Sequence, residues 1–188
     1  MGVLGLGAAI LLAARPENVR HYNLSSLGVD ERVAPLFNGT LILVGGGFFV
    51  LAFLTYRLLR ELQSHGRLSA YRAYSLALPL ILVGLALIGA AVFRLDGSRG
   101  GTVHIISSLL GLVTILFLML TPLGLLGALF SWLSRATVGV IGTLFALSSE
   151  HLLASTIMEI VVLLLVSGWL LYLQLRLRAL AAQDDLAS

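Results

Sequence analysis

The sequence predicts an all-α membrane protein: one domain, a polytopic bundle of about six transmembrane helices. Three observations carry that expectation. Hydrophobic residues fill 59% of the 188 positions and charged residues 11%, against roughly 45–50% and about 25% in soluble domains. Mean hydropathy is +1.02, and so small a soluble core cannot hide that much apolar surface, so lipid must solvate it. Finally, apolar runs near the ~20 residues that cross a bilayer core alternate with short arginine-bearing polar stretches.

All 12 cationic side chains are arginines, and the chain has neither lysine nor cysteine. Schiff-base and Walker-lysine chemistry are therefore excluded, as are disulfides, thiol redox chemistry and cysteine-held haem or iron–sulfur groups. The arginines flank apolar runs, as they do in membrane proteins. Membrane lipids are the expected partners, with a homo-oligomer or larger membrane complex as the setting, and nucleic acid is not.

The first apolar stretch, residues 1–14, is short for a span and is read as a short or truncated helix ended by Pro16; a signal peptide is the rival reading, without its usual basic start. Residues 15–34 form a polar loop. The next helix is expected over 35–56, with Gly45, Gly46 and Gly47 as a packing face. The stretch 57–72 holds Arg57, Arg60, Arg67 and Arg72 against one acid, Glu61, and reads as a cytoplasmic loop by the positive-inside rule.

A third helix is expected over 73–93. A fourth, 103–130, is read as kinked at Pro122. The alternative, a new helix opening at Pro122, would bring Arg135 near mid-membrane at a cost of several kcal/mol; the kink leaves Arg135 at the cytoplasmic surface. Helices over 136–147 and 152–175 follow, then a cytoplasmic tail, 176–188. Trp132, Trp169 and Tyr172 are expected at the interface. Six crossings place both termini in the cytoplasm of a cell-membrane protein.

This topology puts the polar segment "NVRHYNLSSLGVDERVAPLFNGT" outside, beside the other external turns. Arg20, His21, Asn23, Ser26, Asp30, Asn38 and Asp96 would form a lid over the bundle mouth. Below it, His104, Ser107, Ser108 and Gly111 fall at i, i+3, i+4 and i+7, one helical face. His151, Ser155 and Glu159 fall at i, i+4 and i+8, with Glu159 about 12 Å below His151. A carboxylate at that depth should be protonated, hydrogen-bonded or beside a wet cavity. The two stripes predict an outward polar pocket between their helices. The plainer reading makes the serines interhelical glue and the histidines interfacial residues with satisfied polar tips.

"RHYNLSSLG", "APLFNGTLILVGG", "VFRLDGSRGGTVHIISS" and "STIMEIVVLLLVSGWLLYLQLRLRAL" resemble stretches of the domain-of-unknown-function 998 family, bacterial six-helix membrane proteins similar to the DRAM/Frag-like proteins. The resemblance carries over Ser26, Gly28, Asn38, Asp96 and His104. It departs at Arg94, where the family has proline, and in the short first stretch. It implies the six-helix architecture and no established activity.

Three functions compete. The first is a non-enzymatic protein whose outward pocket binds or senses a lipid or amphiphile, or which serves as an accessory subunit; it needs no cofactor and no metal. The second is an intramembrane metal-dependent hydrolase, with His21, His104 and His151 as zinc ligands and Glu159 or Asp96 as base. The third is a small proton-coupled transporter titrating Glu159, for which an Arg135–Glu159 pair would be the sign.

Overall fold

Five helices form where apolar runs meet their stop signals in the computed structural model, which describes residues 31, 33–66, 69–93, 99–121, 126–149 and 155–185. They are α1 (Ala34–Ser64), α2 (Ala70–Val92), α3 (Arg99–Leu120), α4 (Gly127–Ser149) and α5 (Ser155–Asp185). No strand occurs among the described residues. Each helix has a stretch long and apolar enough to cross a bilayer. Leu43, Phe117, Leu129 and Trp132 are 63–72% exposed, which suits lipid and not water. The chain is a multi-pass membrane protein.

Local chemistry sets the helix ends. Pro35 lies in the first turn of α1, where a missing N–H costs nothing. At the other end Gly66 takes φ +72°, the left-handed conformation that ends helices on glycine. The His65 N–H and Nδ1–H and the Ser64 hydroxyl all donate to the Glu61 carbonyl, at 3.3, 2.9 and 2.7 Å. α3 stops where the Thr121 N–H and hydroxyl both donate to the Phe117 carbonyl, one residue before Pro122, which cannot continue the ladder.

Consecutive helices run antiparallel. Gly45 faces Gly84 and the Tyr56 and Tyr74 rings lie 5.7 Å apart, fixing α1 against α2. Gly111 and Ser107 of α3 meet Ala86 and Gly89 of α2. Between α4 and α5, Phe130 stacks on Tyr172 at 5.5 Å, and the Trp169 indole N–H donates to the Ser134 hydroxyl at 2.8 Å. Ser134 passes the bond on to the Phe130 carbonyl at 2.9 Å. α5 also packs on α1, tied by a Gln174-to-Thr55 side-chain hydrogen bond, which closes the ring of helices.

This alternation gives the bundle two unlike ends. The arginine end gathers the close of α1, α3 and α5 and the start of α2 and α4; the histidine end gathers the rest. The packed core, including Leu59, Leu62, Leu80, Leu118, Leu126, Leu173 and Leu177, sits toward the arginine end. α2 is central, with 50% of its apolar stretch buried, and α4 peripheral, with 17%.

The structure corrects several expectations. The single kinked helix over 103–130 is two helices: α3 is closed at Thr121, and α4 opens at Gly127, whose φ of +86° no continuing helix permits. The helix expected over 136–147 is thus the longer α4. Arg135 is the ninth residue of α4, about 12 Å along the axis from Gly127, and not at a helix end. Its side chain is exposed, so the guanidinium can reach toward the boundary, and translocon scales put such a charge at only about 2.5–3.5 kcal/mol.

Helices also outrun their apolar segments. Residues 57–64 belong to α1 and 70–72 to α2, so the expected loop 57–72 shrinks to 65–69, and α5 runs to Asp185 through most of the expected tail. Of the three glycines, only Gly45 is at a helix contact; a Cβ on Gly46 or Gly47 would meet nothing within 4 Å. Residues 100° apart around a helix cannot share a narrow seam. Trp169 is 5% exposed, its ring packed among the helices and not turned outward. The first stretch, 1–14, and the loop after it up to residue 30 lie outside the described residues.

Candidate functional site

His104 stands in the second turn of α3 and is 5% exposed. Its Nδ1 lies 2.6 Å from the Ala90 carbonyl oxygen and 3.0 Å from that of Phe93. Carbonyl oxygens only accept, so Nδ1 carries the proton and donates to both. These carbonyls belong to the last turn of α2, where four C=O groups lack helical partners. His104 thus caps the neighbouring helix across an interhelical contact.

The cap has a chemical consequence. A neutral imidazole protonated on Nδ1 presents a bare lone pair at Nε2. That Nε2 is buried and has no hydrogen-bond partner among the described residues. In that neutral form the unpaired acceptor costs about 1–3 kcal/mol, which a donor or a cation at Nε2 would recover.

The stripe read from the sequence is one face, but it faces α2. The Ser107 hydroxyl lies 2.7 Å from where a Cβ on Gly89 would stand, and Gly111 packs on Ala86. Both are seam residues between α3 and α2. Ser108, on the flank, is exposed.

Glu159 is half-buried on α5 and is not without a partner. The Thr55–Gln174 tie sets the register of α5 on α1. It places Glu159 level with Thr40, about 9 Å beneath the start of α1. Glu159 is the fifth residue of α5. Helix α5 packs on α1 and α4, and α3 on α2 and α4, so His104 and Glu159 stand on helices that are not principal neighbours. Trp169 is level with Ser134 on an antiparallel helix, which leaves Glu159 nine residues, about 13–14 Å, from the level of Arg135.

Asn38 is half-buried in the first turns of α1, also at the histidine end, and is engaged. Ser155 opens α5 by its backbone. Arg20, His21, Asn23, Ser26, Asp30, Asp96 and His151 lie outside the described residues. Among the described residues no three His, Cys, Asp or Glu side chains converge as a metal site would require.

Sequence reading missed three features: the Ser134–Trp169 relay, the Thr55–Gln174 tie and an open groove at the arginine end. The groove, of about 440 Å³, is lined by Leu54, Arg57, Leu58, Glu61 and Arg178. A signal for it existed, since 54, 57, 58 and 61 are spaced at i, i+3, i+4 and i+7. No family model, curated protein or solved structure matches the chain.

Proposed function

We propose that the chain is a non-enzymatic protein of the cell membrane, both termini cytoplasmic, that binds or senses a lipid or other amphiphile at an outward-facing histidine end, alone or as an accessory subunit. One observation carries this reading: the buried Nε2 of His104 has no partner among the described residues, on a ring whose Nδ1–H two helix-end carbonyls accept; we take the ring as neutral, with its lone pair at Nε2. A hydroxyl or ammonium headgroup supplies the missing donor, and apolar helix faces accept its chains. In this reading Asn38 and Glu159 belong to the same rim, and the polar segment bearing Arg20, His21 and Asp30 covers it. Similarity to the domain-of-unknown-function 998 proteins fits the architecture, and membership is part of the proposal.

The test is ligand-dependent stabilisation of the full chain in detergent. Amphiphiles with hydroxyl or ammonium headgroups should raise the melting temperature of wild type and of Leu109→Ala, whose side chain is exposed. They should not raise that of His104→Ala. An equal rise in His104→Ala overturns the proposal.

A second reading draws on the same geometry. Metal-bound histidines usually donate their other ring N–H to a carbonyl or carboxylate, as His104 does. In the hydrolase reading His21 and His151 complete a zinc site; stoichiometric zinc in purified protein would favour it.

A further inference from the structure

Independently of the histidine end, the groove at the arginine end has the composition of a phospholipid headgroup site. Its α1 wall presents Leu54, Arg57, Leu58 and Glu61 on one face; Arg178 of α5 forms the opposite wall. Gln174, one turn before Arg178, is bonded to Thr55, which pins the two helices directly beside the opening. Arg57 and Arg178 are exposed and Glu61 is half-buried. None of these three charged side chains has a hydrogen-bond or ion-pair partner among the described residues. Two cations and one anion thus surround an open space without neutralising one another.

The groove also lies at the right depth. It begins where the apolar part of α1 gives way to "RLLRELQS", so its leucine side meets acyl chains and its arginine side meets headgroups. Its volume, about 440 Å³, falls within the range of small-ligand pockets and suits a headgroup whose chains remain in the bilayer.

We infer that this groove binds a monoanionic phospholipid. The phosphate bridges the Arg57 and Arg178 guanidiniums, whose planar forks match phosphate oxygens. The Glu61 carboxylate accepts a hydrogen bond from a headgroup hydroxyl, and Leu54 and Leu58 receive the first chain methylenes. The net charge of the lining, +1 from two arginines and one glutamate, matches a lipid of charge −1. Arginine near an anionic leaflet attracts such lipids, and here two arginines from different helices fix the position.

The experiment is native mass spectrometry of the delipidated full chain titrated with phosphatidylglycerol, with phosphatidylcholine of the same chains and with inorganic phosphate. Wild type should prefer phosphatidylglycerol by on the order of tenfold, and added salt should weaken the preference. Arg57→Gln with Arg178→Gln should abolish it, and Arg57→Lys with Arg178→Lys should restore part of it. Glu61→Gln should weaken phosphatidylglycerol relative to a phospholipid lacking headgroup hydroxyls. Equal binding of the two lipids by wild type overturns the inference, as does an unchanged preference in the glutamine pair. Inorganic phosphate binding as tightly as phosphatidylglycerol overturns the lipid assignment. Matching melting temperatures of the lysine and glutamine pairs confirm that the comparison is between folded proteins.

Discussion

Replacing Gly45 by alanine puts a methyl carbon 2.8 Å from the Gly84 carbonyl oxygen and 2.8 Å from Cγ1 of Ile88. Ordinary contacts of a Cβ begin at about 3.4 Å, so α1 and α2 must separate by about 0.6 Å at their crossing. The obstructing atom belongs to backbone, so no rotamer change relieves it, and overpacking of this kind costs about 1–3 kcal/mol. The same substitution at Gly47 meets nothing within 4 Å. Both variants gain the helix propensity of alanine over glycine, about 1 kcal/mol in water, so that contribution cancels between them. Gly45→Ala should therefore be less stable than Gly47→Ala by about 1–3 kcal/mol. Reversible unfolding in mixed micelles of a mild and a denaturing detergent measures the difference. Equal stabilities, or Gly45→Ala the more stable, would refute the α1–α2 seam.

Two further outcomes follow from the same packing. Ser134→Ala strands the buried Trp169 indole N–H, and a Ser134→Ala/Trp169→Phe double-mutant cycle in that micelle assay should give a coupling of about 0.6 kcal/mol and at most about 1.7, the average and upper limit for hydrogen bonds between membrane helices; zero coupling would remove the relay. Because the chain has no cysteine, single-cysteine labelling is clean. Arg135→Cys in membranes should resist a membrane-impermeant maleimide while Ser64→Cys, beyond the apolar part of α1, reacts; equal rates would return position 135 to the surface.

The helical spans were legible because hydropathy reports where lipid contacts the chain. Expected starts at 35 and 73 lie within three residues of those found, and the last helix was expected at 152 and begins at Ser155. Hydropathy does not report where a helix ends. Arg57 to Ser64 and Arg176 to Asp185 stay helical because Leu59, Leu62 and Leu177 reach the core, while their charged neighbours lower the average. The Pro122 ambiguity was real, since a proline can kink or stop a helix. It was settled by two features a window average cannot contain, the Thr121 bonds to the Phe117 carbonyl and the left-handed Gly127.

At the candidate site, periodicity placed His104, Ser107 and Gly111 on one face, but periodicity cannot name the neighbouring helix, and the face meets α2. The bare Nε2 of His104 depends on carbonyls eleven and fourteen residues away. The Thr55–Gln174 tie joins positions 119 apart. Such pairings belong to the closed ring of helices and leave no local trace in the chain.

In the proposed function, His104 holds its proton on Nδ1 and keeps Nε2 open for a headgroup donor. Nitrogen NMR of the full chain, histidine-labelled, with and without added amphiphile, tests it most directly. His104 should show an unprotonated Nε2 resonance that shifts toward a hydrogen-bonded value as amphiphile is added. A proton found on Nε2, or a resonance that added amphiphile leaves in place, would contradict it.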